Sequence, residues 1–115
     1  MGEKNLLSGS TTLLVLSLLA GGDKYGYEMI AALEEASDHT FSLKEGTLYP
    51  ILHGLEGKGA VEAYDRDAPS GRRRKYYRIT PKGRRLLEQQ KTEWKQFRTL
   101  VDAVLSQAEG MPAPV

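Results

Sequence analysis

This 115-residue chain has no cysteine, a single tryptophan and only two histidines. Without cysteine there can be no disulfide, no thiolate nucleophile and no thiolate metal ligand, a usage that fits a reducing cytoplasm as the expected location. His39 and His53 lie 14 positions apart with no cysteine nearby, which matches neither helical nor finger-type metal spacing. Long hydrophobic runs are missing too. The apolar block Leu13 to Ala20 is far too short to span a bilayer and lacks a basic flank leading into a cleavage site, so no membrane partner is expected. Met1-Gly2 is not a myristoylation signal, because position 6 is Leu6 rather than serine or threonine. No nucleophile elbow or phosphate loop is present. Gly57-Lys58-Gly59 fails as a dinucleotide fingerprint, since Glu62 stands where the third glycine belongs and a helix precedes it instead of a strand. Neither an enzyme nor a cofactor is implied.

One further absence is local. From Arg72 to Arg85 there are eight Lys and Arg residues and no Asp or Glu, although the whole chain carries only +1. Charge concentrated in this way on a near-neutral protein is the footprint of a polyanion-binding element. A solvated surface strand is the plainer account of any charge run, and the neighbouring segments decide between the two. Hydrophobic content of 40% and charged content of 27% mark an ordinary globular chain, of a length that suits one domain with a short appendage. A core this small makes self-association a natural way to bury more area.

The chain then reads helix, helix, helix, hairpin, helix. Ser8 to Thr12 offers capping hydroxyls ahead of a segment, Leu13 to Ala20, that is apolar almost all round and so predicts a buried helix. After Gly21-Gly22-Asp23, a second helix is predicted from about Gly26 to Ser37, with Met29, Ile30 and Leu33 inward. The third lies within Leu43 to Lys58, where Leu48, Ile51, Leu52 and Leu55 follow the i, i+3, i+4, i+7 rule. Its start has two readings: Ser42 and Glu45 as a capping box, or Thr47 as cap with Pro50 in the first turn. Opposite the leucine face lie Gly46, Pro50, His53 and Gly57, flanked by Thr47, Tyr49 and Gly54. A face without bulk or negative charge can approach another molecule closely. Val61 to Asp67 and Lys75 to Ile79 read as strands joined by a turn at Ala68-Pro69-Ser70-Gly71, with Asp65 and Asp67 opposite the basic strand. Thr80 as N-cap and Pro81 at the first helical position start a last helix that should reach roughly Gln107.

Three helices followed by a hairpin define a winged helix-turn-helix, a mainly α domain with a small β-hairpin. In that arrangement the third helix enters the DNA major groove and the wing follows the backbone. Lys and Arg on phosphate then supply affinity and register, while a few recognition-helix side chains read base edges. A winged-helix protein-interaction module is the competing class, and the basic cluster Arg72, Arg73, Arg74 and Lys75 argues against it. RNA is disfavoured because a recognition helix has poor access to the narrow A-form major groove.

The segments Tyr25-Gly26-Tyr27-Glu28, Glu45-Gly46-Thr47-Leu48-Tyr49-Pro50 with Leu52 and Leu55, and Lys75-Tyr76-Tyr77-Arg78-Ile79-Thr80 with Gly83 together resemble the PadR family of bacterial transcriptional regulators. The resemblance covers roughly Leu13 to Trp94. It implies a homodimer on a partly palindromic operator of double-stranded DNA, usually acting as a repressor, and in many members a loss of DNA affinity when a small aromatic or drug-like molecule binds. The single last helix is similar to the short subgroup. Carried over by position, Thr47, Tyr49 and Pro50 would sit where the recognition helix meets DNA, with His53 on the same face and Lys44 leading in. Arg72, Arg73, Arg74 and Lys75 would form the basic wing. Of Tyr25 and Tyr27, one is expected in the core and one near the DNA backbone.

The last helix is the dimer-forming candidate. Leu87, Trp94, Phe97, Val101 and Val104 fall on a heptad-like stripe flanked by Leu100 and Leu105, with only Gln90 interrupting. Packing back on its own domain is the alternative to pairing with a second copy. The resemblance makes Trp94, with Phe97, a candidate contact for a planar effector; an interface anchor is the competing role. The expected organisation is a DNA-binding domain over residues 1–80, a dimerisation helix over 81–108 and a flexible tail over 109–115.

Overall fold

A computed structural model describes residues 10–110; the Met1-Gly2 terminus, the Ser8 hydroxyl and the tail from residue 111 onward lie outside the described residues. The elements are α1 (Thr11–Ala20), β1 (Lys24–Tyr25), α2 (Gly26–Ala36), α3 (Glu45–Gly57), β2 (Val61–Asp67), β3 (Arg73–Ile79) and α4 (Pro81–Gly110). One core joins them. Val15, Leu16 and Leu19 of α1 meet Met29 and Leu33 of α2, Leu48, Leu52 and Leu55 of α3, and Val61, Tyr77 and Ile79 of the hairpin. Each set recurs at its element's own period, three to four residues on the helices and two on the strands, so every element offers the core one face.

The sheet has three antiparallel strands in the order β1-β3-β2. β1 is the element that sequence patterning missed: two residues are too few to show alternation. It pairs Lys24 with Tyr77 and Tyr25 with Tyr76. Lys24 also closes the end of α1, its Nζ donating to the Leu18 carbonyl at 2.8 Å, a cation placed where the helix dipole favours one.

The start of α3 fits neither expected cap. Lys44 is the N-cap and makes no side-chain cap bond, which puts Thr47 in the first turn and Pro50 inside the helix. Pro50 therefore leaves the Gly46 carbonyl without its helical donor, on an exposed face where water can take that role. The far end is well closed. Gly59 has φ +75, its N–H donates to the Glu56 carbonyl at 3.0 Å, and the Ala60 N–H donates to the Leu55 carbonyl at 2.8 Å, the paired bonds of a Schellman motif. The wing follows at once, so this closure sets the angle between recognition helix and wing.

At the start of α4 the Thr80 hydroxyl accepts from the Gly83 N–H at 3.0 Å and donates to the Gly59 carbonyl at 2.6 Å. A Cβ on Gly83 would meet Ile79 Cγ1 at 2.8 Å and overlap the Ala60 carbonyl oxygen, so only glycine lets this turn lie so close. α4 then outruns its domain and the expected end at Gln107, continuing to Gly110. At 1.5 Å per residue it is about 45 Å long. Gly83 and Leu87 are buried and Leu86 partly so, whereas every residue from 91 to 108 is exposed. The radius of gyration, 17.5 Å, exceeds the about 13 Å of a compact chain of this length because the helix projects. Among the described residues no helix is long and apolar enough to cross a membrane.

Candidate nucleic-acid interface

The register of the hairpin sorts the basic ribbon into two faces. Ala63 opposite Tyr77 and Val61 opposite Ile79 face the core, and the same face continues outward through Asp65 opposite Lys75 and Asp67 opposite Arg73. The other face carries Glu62 opposite Arg78, Tyr64 opposite Tyr76 and Arg66 opposite Arg74. Arg73 and Lys75 thus point to one side of the wing and Arg74 to the other. The strand begins two residues earlier than its sequence pattern suggested, which brings Arg73 and Arg74 onto the ladder itself. Arg72 precedes it and donates its N–H toward the Ser70 hydroxyl. Asp67 does pair with the basic strand, at 3.5 Å from Arg73 Nη1, but both side chains are about two-thirds exposed, so the pair adds little stability.

The face carrying Arg74 is a stack of alternating rings and guanidinium groups. Arg66 lies 4.5 Å over the Tyr76 ring, Arg78 4.7 Å over Tyr64 and Arg74 5.5 Å over Tyr25. Tyr64 stacks on Tyr76 at 5.9 Å, and Tyr25 meets Tyr76 edge-on at 5.3 Å. Asp23 ties the stack down, accepting from the Tyr64 hydroxyl at 2.6 Å and from Arg78 Nε at 3.3 Å. Tyr76, 2% exposed, is buried by this stack and not by the core. Burial, with Glu28 nearby, holds its phenol above the ordinary range, against an opposing pull from Arg66; Tyr77 is raised mainly by burial in the core. Each cation–π contact fixes a guanidinium that would otherwise lose rotamer freedom on binding a phosphate. Arg74 Nε is itself buried and has no hydrogen-bond partner.

Between wing and helices lies a pocket of about 410 Å³, lined by Tyr25, Gly26 and Tyr27 at the start of α2, Glu45 and Tyr49 of α3, and Arg73, Arg74 and Lys75. Neither tyrosine at the entry to α2 lies in the core: Tyr25, at the end of β1, is half-buried in the ring stack, and Tyr27, in the first turn of α2, is 69% exposed. Glu28 Oε1 accepts the Tyr25 N–H at 3.2 Å, which fixes the entry into α2. Tyr49 sits deeper than a freely exposed recognition residue would. A Cβ on Gly26 would strike its hydroxyl and lie 2.9 Å from its Cζ, so Gly26 makes room for the ring that seats α3 on α2. Beyond Tyr49, the face of α3 is shallow: Lys44, Thr47, Pro50 and His53 are exposed, and Gly46, Gly54 and Gly57 have nothing within 4 Å of where a Cβ would stand. No signal in the sequence distinguished the ring stack from a plain basic strand, because Tyr25 reaches it from a segment remote in the chain and Arg66 only through the register of the hairpin.

Leu87 departs from the expected dimer stripe. It is 5% exposed inside the domain core, because the first two turns of α4 pack on their own domain. Trp94 (43% exposed), Phe97 (59%), Leu100 (67%), Val101 (38%) and Val104 (67%) lie on the projecting part. The rings of Trp94 and Phe97 are 6.0 Å apart and tilted by 30°.

A recognition helix with a shallow face, a basic wing beside it and a projecting last helix define a winged helix-turn-helix regulator that binds DNA. The sequence profile of the Transcriptional regulator PadR-like family matches residues 15–89, and the chain belongs to that family, whose members are regulators and not enzymes. Among solved structures, it is similar to a PadR-like transcriptional regulator from Bacillus cereus (32% identity, 88% of this chain and 96% of that one, TM-score 0.77). It is also similar to a PadR family transcription regulator from Clostridium difficile (36% identity, 84% and 98%, TM-score 0.70). A transcriptional regulator of Mycobacterium tuberculosis is 44% identical over 54 residues, about half the length of each protein.

Proposed function

We propose that this regulator is a homodimeric repressor that binds a partly palindromic operator and releases it when a planar aromatic molecule enters between the two copies. The observation that carries the reading is the projecting helix: residues 91–108 are exposed and include six large apolar side chains on Trp94, Phe97, Leu100, Val101, Val104 and Leu105. An apolar stripe of that size on a helix that no other described element covers is stabilised by a partner, and a second copy is the simplest one. A two-fold axis through α4 would set two copies of α3 about 34 Å apart, one turn of DNA.

In each half, Lys44, Thr47, Tyr49, Pro50 and His53 would face the major groove, and Arg72, Arg73, Arg74 and Lys75 the backbone. The Trp94–Phe97 pair supports the effector site, since two open rings within stacking distance can receive a third. Because α4 starts directly from β3 through Thr80, a ligand that shifts α4 moves the wing as well. Selection of bound duplexes from a random pool, with sedimentation of the free protein, tests the reading. A palindromic winner and a dimer are expected; a monomer at micromolar concentration, or no enriched sequence, would overturn it. Quenching of Trp94 fluorescence by planar aromatic compounds tests the effector, and an inert signal would remove it.

A further inference from the structure

Glu45 is the one acid among the residues that line the pocket between wing and helices, where Arg73, Arg74 and Lys75 supply the other charges. Three other acids nearby already have partners, and Asp65, opposite Lys75, lies on the wing and not on the recognition helix. Asp67 pairs with Arg73, Glu28 takes the Tyr25 N–H, and Asp23 holds Tyr64 and Arg78. Glu45 is exposed and makes no ion pair or side-chain hydrogen bond among the described residues. It occupies the first position of α3, where the helix dipole favours a carboxylate. That local benefit would be equal in a helix far from DNA. Here it comes at the mouth of a polyanion-binding cleft, where an unpartnered carboxylate repels every phosphate that approaches.

The repulsion is offset only if the carboxylate finds a donor. The major-groove edge of B-DNA offers two, the amino groups of cytosine and adenine, and adenine adds an acceptor beside its amino group that a carboxylate cannot satisfy. The first turn of a recognition helix is the part that meets base edges. Resting on the DNA-binding reading above, we propose that Glu45 is a specificity-determining residue that accepts a hydrogen bond from a cytosine amino group in each operator half-site.

The test is duplex selection with three proteins: the natural chain, Glu45→Gln and Glu45→Ala. The side chain is exposed, so each variant should fold, and its circular dichroism melt checks this. The natural chain should enrich cytosine at one pair of symmetry-related positions. In the Gln variant, which can both donate and accept, preference there should move toward adenine, and in the Ala variant it should flatten by about tenfold. The other positions and the salt dependence should stay as they were. If all three proteins enrich the same sequence, with both variants simply binding more tightly, Glu45 is only a source of repulsion and the proposal is overturned. If the natural chain enriches nothing, the DNA-operator reading fails instead, so the two failures are told apart.

Discussion

Individual side chains on the wing have unequal surroundings, and this decides what each can contribute. Arg73 shares its face with Asp67 and Asp65, whereas Arg74 is held over Tyr25 on the opposite face. Phosphate binding releases condensed counterions whichever arginine is involved, so replacing both Arg73 and Arg74 with alanine should weaken binding to all sequences alike. The slope of log affinity against log salt should become shallower by about 0.9 for each lost phosphate contact. Titrations at four or more salt concentrations on operator and random duplexes measure both effects, and a changed sequence preference would mean the wing reads bases. The tyrosines give a second residue-level expectation. Tyr76 and Tyr77 have phenols raised above their unfolded value, so the folded state keeps protons that the unfolded chain loses in alkali. Their contribution to stability is full below about pH 10 and is lost as pH rises through the higher folded values. Urea unfolding should therefore be insensitive to these groups at neutral pH and weaken above about pH 10; Tyr77→Phe, which lacks the ionisable group, should reduce that alkaline loss.

At the scale of elements, α3 combines a conventional inner face with an outer face poor in helix formers. Gly54 lies mid-helix with nothing within 4 Å of a Cβ, so Gly54→Ala should stabilise the fold by about 0.5–1 kcal/mol, measured by chemical denaturation. If close approach to DNA is why the glycine is there, the same variant should bind its operator more weakly, and stability and affinity will move in opposite directions. Unchanged affinity would take the interface off this face. Much of this element was legible beforehand. The leucine spacing located its core side, and the small residues located its outer side, because both follow from the 3.6-residue period. Its start was not: a Ser42 cap would begin the helix two residues early and a Thr47 cap three residues late, whereas Lys44, whose side chain makes no cap bond and so leaves no sequence signal, is the N-cap. The wing shows the same division. Alternation and a turn sequence reveal a hairpin, but a shift of one residue exchanges the two faces of a strand. Which arginine lies beside which tyrosine therefore depended on register. β1 was invisible for a different reason, being held by its partner β3 and not by a pattern of its own.

The whole molecule is a small domain with a lever. Its inner end is fixed by Leu87 in the core and by the close contact of Gly83 with Ala60; its outer end carries an apolar stripe that is exposed among the described residues. These two ends should therefore be separable by mutation. Leu100 and Val104, each 67% exposed, can be replaced together by glutamate without removing a contact that folds the domain. If the stripe is where two copies meet, the variant places four unpaired carboxylates in an apolar interface, a cost large enough to abolish pairing at micromolar concentration. Sedimentation should then give the chain mass in place of twice that mass, while denaturant unfolding of the domain remains cooperative. DNA binding should divide along the same line. A single half-site should be bound as before, because α3 and the wing are untouched, whereas a full palindrome should lose about 10²–10⁴-fold, the advantage that tethering gives the second half-site. A variant that stays dimeric would place the partner surface elsewhere, and one that becomes monomeric yet binds the full site normally would uncouple dimer geometry from recognition.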